Sequence, residues 1–400
     1  MKILHIGPVK NSVAEPDYDP GFDVFPGLGV DGPSRSILGL ARALSNAGIE
    51  TGVLPTKAFT KPSGLNGSVE FLTPYTGRKH NFFIRAGRWL RQIEAEFGRP
   101  DLVNFHDVYD LFSVVLASAM KKEGWSYIVT PRGGLRLFAQ RRDSYKKKVA
   151  NPLFFRRYLR NARFIHALAD QEAEEVRLFD RSLKTIVVPN GIPSEFLSFA
   201  AKLPGGPSNG HEKREKRIVG FIGQIFVAIK GIDLMLAAIR KFQTLRNDLK
   251  FVFVGPIPTA MDQHWVQKMR GELPHANDVA FIGPKYGREK WAALNSFDVF
   301  ALPSRTEGMP VVGLEAMAFG KPCLFSKGSN MAEVIREAEG GWDCGDGAET
   351  IYERLLEVAR TPDAQLQKYG NNARRYVAEH FTWDKVVRSY IAMAERSLSC

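Results

Sequence analysis

DVFALPSRTEGMPVVGLEAMAFGKP, residues 298–322, passes through three kinds of local order in quick succession. An apolar strand runs to Pro303. A loop then carries Glu307-Gly308-Met309, and a helix opens with Pro310 in its first turn, where a missing N–H costs nothing. The free amides of that helix start, together with the helix dipole, make an anion site suited to a diphosphate. Glu307 projects from the loop and Glu315 from the helix. Their spacing alone carries no weight, because Glu349 and Glu357 repeat it in an ordinary surface helix. The setting distinguishes them: a strand, a Gly-Met-Pro turn, and the small apolar run Ala316-Met-Ala-Phe-Gly320.

Outward from this stretch the same unit recurs. RIVGFIG (217–223), KFVFVG (250–255), VAFIG (279–283) and PCLFS (322–326) are short apolar strands, and a helix is expected over 231–245. The first half repeats the alternation with KILHIG (2–7), ETGVLP (50–55), DLVNFH (101–106), YIVTP (127–131), RFIHAL (163–168) and TIVVPN (185–190). Between them lie amphipathic segments such as SRSILGLARALSNAG (34–48), which closes on Gly48. Near-continuous apolar strands separated by helices predict parallel sheets covered on both faces. KLPGGPSNGHEKREK (202–216) interrupts the pattern with linker composition. The expected organisation is an α/β chain of two facing, doubly wound Rossmann-like domains: 1–200, a linker over 201–216, and 217–380. Ligands of such sheets bind at the carboxyl ends of the strands, here in a cleft between the domains.

Composition excludes several classes. Hydrophobic residues at 44% and charged residues at 24% are globular averages, so the chain is neither disordered nor fibrous. No apolar run approaches the ~18 residues of a membrane span, and MKILHIGPVK lacks a signal-peptide core. Three scattered cysteines, Cys323, Cys344 and Cys400, offer neither a disulfide framework nor a zinc site, which points to a reducing cytosol. Gly27-Leu-Gly29-Val-Asp-Gly32 matches the dinucleotide fingerprint by letter. Strand one ends far upstream near Gly7, however, and Glu50 precedes the second strand instead of ending it. A glycine loop is the better reading, with Gly32 at the start of a helix where the backbone can approach a phosphate.

On these residues the chain resembles the retaining glycosyltransferases of family 4, which have the GT-B fold. The resemblance implies that Glu307 contacts hydroxyls of the donor sugar and that Glu315 holds the nucleotide ribose. It places the diphosphate on the backbone around Gly308, Met309, Val311 and Val312. GFIGQIFVAIKGIDLML (220–236) is similar to the family's strand–Gly–Arg…Lys-Gly segment. Lys230 supplies the cation, while Gln224 stands where the family has Arg and brings hydrogen bonds but no charge. His106, at the end of DLVNFH, resembles the strand-end His that faces the transferred sugar. VTPRGGL (130–136) is similar to a strand-end loop with a basic residue, which puts Arg132 and Arg136 on the acceptor side. VVPNGIP (187–193) matches the turn before the interdomain crossing. HFTWDKVVRSYIAMAE (380–395) looks like the last helix, so 381–400 is expected to pack back on the first domain.

The resemblance implies a nucleotide-diphosphate sugar, UDP- or GDP-linked, as co-substrate, no divalent metal and no other cofactor. The acceptor would be a glycan or a lipid-linked molecule, as in cell-surface polysaccharide or glycolipid synthesis. Net charge is +12, and residues 121–163 hold thirteen Lys/Arg against two acids, Glu123 and Asp143. LRLFAQRRDSYKKKVANPLFFRRYLRNARF (135–164) interleaves that charge with Leu137, Phe138, Tyr145, Val149, Leu153, Tyr158 and Leu159. A solvated helix face, docking on anionic lipid at the inner face of the membrane, and nucleic-acid binding all fit the composition. No reader motif accompanies the charge, so no nucleic-acid partner is expected. Two rival classes for the whole chain are an NAD-dependent oxidoreductase and a basic nucleic-acid-binding protein.

Overall fold

A computed structural model describes residues 1–9, 32–57, 69–73, 82–142, 144–203 and 215–399. Gly27, Gly29, most of the expected linker, Asp143 and Cys400 lie outside the described residues. The chain divides into two compact units, Met1–Pro193 with Thr382–Cys400, and Ser194–Phe381.

The first unit is built on β1 (Lys2–Gly7), β2 (Glu50–Pro55), β3 (Glu70–Phe71), β4 (Leu102–His106), β5 (Ser126–Thr130), β6 (Ile165–Ala167) and β7 (Thr185–Val187). They pair in parallel in the order β3-β2-β1-β4-β5-β6-β7. The chain starts mid-sheet and winds outward one way and then the other, the doubly wound order. Successive strand residues face opposite sides. Leu4, Ile6, Val103, Phe105, Tyr127 and Val129 pack against Ile93, Phe112, Leu116 and Tyr158. Ile3, Leu102 and Ile128 meet Leu40, Leu44, Trp383, Val386, Tyr390 and Met393. Both faces are covered, which is why the strands read as continuous apolar runs.

The helix Trp383–Ser399 therefore completes the first unit from the far end of the chain. Its Trp383 ring lies so close to the helix Gly32–Asn46 that a Cβ on Gly39 would sit 2.6 Å from the indole nitrogen. Tyr390 is fully buried, and its hydroxyl accepts from Asn104 Nδ2 at 2.8 Å.

The second unit carries β8 (Arg217–Ile222), β9 (Leu249–Val254), β10 (Val279–Phe281), β11 (Val299–Leu302), β12 (Cys323–Phe325) and β13 (Gly341–Asp343). These strands are parallel in the order β10-β9-β8-β11-β12-β13. All four residues of β11 are buried, and the helix after it runs over Val311–Ala318. Pro310 precedes that helix with extended backbone, φ −74° and ψ 117°, so it caps the first turn from outside instead of lying within it.

The helix Ser194–Lys202, expected to end the first domain, groups with the second unit. Its Phe196 ring lies 4.9 Å from Trp291, which stacks on Phe319 at 5.8 Å. Burial of these aromatics decides the boundary, which falls after Pro193 and not at 200.

Candidate active site

In the second unit a short helical turn, Val227–Lys230, follows β8 and ends at Gly231. Gly231 has φ +65°, and a Cβ there would stand 2.0 Å from the carbonyl oxygen of Pro303. Only glycine lets this segment pass so close to the end of β11. The close approach brings Lys230 to the loop 304–309. Lys230 Nζ pairs with Glu307 Oε1, with both side chains largely buried. Ser304 Oγ donates to the same carboxylate oxygen at 2.8 Å.

The loop itself is held on every side. Arg305 donates two bonds to the Asp233 carboxylate, at 2.6 and 2.5 Å, and a third to the Ala228 carbonyl at 3.0 Å. Its backbone N–H bonds to Ile229 O at 2.8 Å, and that of Glu307 to Gly328 O at 3.1 Å. Asn330 Nδ2 donates to the carbonyls of Glu307, at 2.9 Å, and of Gly308. Lys230 and Glu307 are thus fixed together immediately before a helix start. Gly308, Val311 and Val312 are half-buried there and Met309 is buried. The first amides of an α-helix have no acceptor within the helix and are oriented for an anion.

Glu315 lies on that helix but meets a different cation. Lys290, on the helix Gly287–Ser296, donates to Glu315 Oε2 at 2.6 Å, with its ammonium 4.3 Å over the Trp291 ring. The two side chains are 12% and 5% exposed, so loss of either would strand a buried charge. Gln224 is exposed on the turn between β8 and Val227, and its carbonyl accepts from Phe226 N at 2.9 Å.

In the first unit, His106 closes β4 and is 2% exposed. Its Nε2 lies 3.0 Å from His5 Nδ1 and its Nδ1 lies 3.0 Å from Arg132 Nη2. Arg132 Nη1 donates to Ser36 Oγ at 3.0 Å, and Ser36 donates in turn to Asn190. His166 donates from Nε2 to Val188 O at 2.8 Å, and its Nδ1 is 2.9 Å from Thr130 Oγ1. Burial first, and the Arg132 charge with it, pushes His5 down to about 3 and His106 well below the usual imidazole range. His166 is pushed down to about 4, chiefly by burial. All three rings are neutral at neutral pH.

Arg136, expected on the acceptor side, is turned inward instead. It is 2% exposed and bonds Glu175 Oε1 through Nε at 3.2 Å and Nη2 at 2.9 Å. The loop between it and β5 is anchored by Glu172, which accepts from Gly133 N at 2.5 Å and Leu168 N at 2.7 Å. Burial raises the Glu172 carboxyl above its ordinary range. Sequence reading passed over this residue. Its signal is an acid on the buried face of the helix Asp170–Phe179, beside Ala173 and Val176. Gly32 begins the helix Gly32–Asn46 of the first unit and is exposed.

Among the described residues no group of three or more His, Cys, Asp or Glu is placed to hold a metal ion. Cys323 and Cys344 are buried thiols that burial pushes upward. No helix among them is long and apolar enough to cross a membrane.

Two family models fit the chain. One described as "Glycosyltransferase Family 4" matches residues 30–196, which hold His106 and Arg132, and one described as "Glycosyl transferases group 1" matches residues 208–376, which hold Lys230, Glu307 and Glu315. The chain belongs to the family 4 type of glycosyltransferases. An uncharacterized glycosyltransferase of Methanocaldococcus jannaschii is 29% identical over 220 residues, which cover 52% of this chain and 53% of the relative. The chain spans about half the length of the curated relatives it matches.

Solved structures give the GT-B fold of this family 4 member over its full length. Sucrose-phosphate synthase from Thermosynechococcus elongatus has a TM-score of 0.71 at 18% identity, covering 100% of both chains. Anabaena HepE in complex with UDP and glucose has a TM-score of 0.68 at 17% identity, also covering 100% of both. Neither the nicotinamide reading nor the nucleic-acid reading is favoured by these matches.

Proposed function

We propose that this family 4 chain moves a sugar from a nucleotide-diphosphate sugar, UDP- or GDP-linked, to an acceptor hydroxyl with retention of anomeric configuration. One observation carries the reading: the Lys230–Glu307 pair is clamped beside the helix start at Val311. There a cation and oriented amides can take a diphosphate, while a carboxylate can order sugar hydroxyls. As the C1–O bond to the diphosphate breaks, negative charge grows on the leaving oxygen, and Lys230 with the helix amides stabilises it. The acceptor oxygen attacks from the same face, and its proton passes to the departing diphosphate. Glu315, held by Lys290, would receive the ribose. In the first domain Arg132, bonded to His106 Nδ1, serves the transferred sugar and the acceptor.

The cation of Lys230 and the helix dipole supply the charge that a metal supplies elsewhere, so turnover is expected to survive EDTA. Strict dependence on added Mn²⁺ would overturn this part. A thermal-shift panel of UDP, GDP and ADP tests the donor, and slow hydrolysis of nucleotide sugars without acceptor identifies it. A protein indifferent to every nucleotide refutes the reading.

The acceptor is proposed to be lipid-linked and met at an anionic membrane surface. In the basic segment Leu137, Tyr145, Val149, Leu153 and Phe154 are 46%, 81%, 50%, 63% and 41% exposed. Apolar side chains set among Lys and Arg are the composition that binds headgroups and enters their boundary.

A further inference from the structure

Proton positions in the buried histidines can be followed atom by atom from Arg132. A guanidinium has N–H donors and no acceptor. Its Nη2 lies 3.0 Å from His106 Nδ1, so that nitrogen presents a lone pair. The neutral ring then carries its proton on Nε2, 3.0 Å from His5 Nδ1. His5 accepts there and carries its own proton on Nε2, a buried atom with no hydrogen-bond partner among the described residues. The order of donors is therefore set entirely by the arginine and runs Arg132 to His106 to His5.

Two consequences follow. Both ring nitrogens of His106 are committed inside the domain, and the residue is 2% exposed. Arg132, in contrast, is only half-buried and sits at φ +49°, a left-handed conformation that a non-glycine residue adopts at a cost. The surroundings enforce that conformation: Gly133 N is held by buried Glu172, and the guanidinium plane is set by Ser36 and His106. Ser36 Oγ and the neutral His106 ring each accept from the guanidinium and fix its plane.

We propose that His106 and His5 are positioning residues, and that Arg132 is the group they present to the substrate. The proposal rests on the glycosyl-transfer reading above and divides the labour within it. An asparagine places its amide oxygen near the position of Nδ1, whereas a glutamine places its amide near Nε2. His106→Asn therefore keeps an acceptor for Arg132, and His106→Gln does not. Turnover of the nucleotide sugar identified by the hydrolysis screen is expected to fall about tenfold or less in His106→Asn, the worth of one modest hydrogen bond. In His106→Gln and Arg132→Lys it is expected to fall about a hundredfold, as it does when a reacting group is misplaced by ~1 Å. His5→Asn, which still accepts from His106, should outperform His5→Leu.

Melting curves and nucleotide-induced shifts show whether each variant is folded. A glutamine variant that matches or exceeds the asparagine variant overturns the proposal and puts His106 Nε2 on the substrate. The wild type gives a second readout that needs no variant. Its ¹⁵N side-chain spectrum should show His106 and His5 as neutral Nε2–H tautomers. An imidazolium or an Nδ1–H tautomer at His106 refutes the relay. Absence of turnover with every nucleotide sugar instead sinks the underlying reading, and the spectrum tells the two failures apart.

Discussion

At the scale of single residues, the proposed role of Lys230 is where charge and chemistry meet. Its ammonium lies against Glu307 and is mostly shielded from water, so it is oriented before any donor arrives. Lys230→Ala is expected to lower kcat by about 10²–10³, with a smaller change in KM for the donor, because the interaction strengthens as the leaving group gains charge. Steady-state kinetics with the identified nucleotide sugar measures this, and near-normal turnover would make Lys230 a structural lysine. Lys230, Gly231 and Glu307 were legible because each belongs to a local pattern of strand, turn and helix. Lys290, Arg305, Asn330 and Glu175 were not. Their partners, Glu315, Asp233, the carbonyl of Glu307 and Arg136, stand far away along the chain, and a distant pairing leaves no local mark. Arg136 shows the same limit from the other side, since a basic residue in a strand-end loop reads alike whether it faces solvent or a buried acid.

Among elements, the strands longer than two or three residues were legible because both faces of each sheet are covered and the apolar runs are unbroken. β3 escaped because it spans two residues, too few to set a period, and β13 because only Trp342 of its Gly-Trp-Asp is buried, so it shows no apolar run. The basic segment proved composite. It forms helices over Leu137–Arg141, Ser144–Ala150 and Arg156–Asn161, the last two joined by a π-helical turn over Asn151–Phe155. Tyr158 and Leu159 point into the core, while the five exposed apolar residues point out. Lys147 bonds the Ala139 carbonyl and lies 4.9 Å from the Tyr109 ring, whereas Lys146 and Lys148 are exposed. Charge reversal at Lys146 and Lys148 should therefore weaken cosedimentation with phosphatidylglycerol vesicles by removing attraction to the surface. Donor hydrolysis should be spared. A wild-type protein that ignores such vesicles would mean that the segment is an ordinary solvated face.

On the scale of the whole molecule, restart of the strand–helix alternation after 216 made two domains legible. The boundary was not, because the aromatic cluster of Phe196, Trp291 and Phe319 joins residues of very different sequence position. The buried histidines act at this scale too. Their folded pKa values lie below the unfolded value near 6.5, with His5 near 3 and His166 near 4. The unfolded chain therefore binds more protons as pH falls through that window. Stability is full above about pH 6.5 and declines toward pH 4, by up to ~1.4 kcal/mol per pH unit for each such ring. Thermal melts across this range should show the first unit weakening, and a His166→Asn variant should flatten the dependence. An unchanged melting temperature from pH 7 to 4.5 would contradict it.

The helix Trp383–Ser399 has a further consequence, one of timing. It covers the face of the first sheet that holds Ile3, Leu102 and Ile128, yet the second unit, Ser194–Phe381, is encoded in between. At synthesis rates of 5–20 residues per second, roughly 10–40 s separate the emergence of that sheet from the arrival of its cover. During this interval the nascent chain carries an uncovered apolar face, and the second unit gains all its strands, β8 to β13, before that cover arrives. The first unit is thus finished on the ribosome only after the second, although its sheet is made before it.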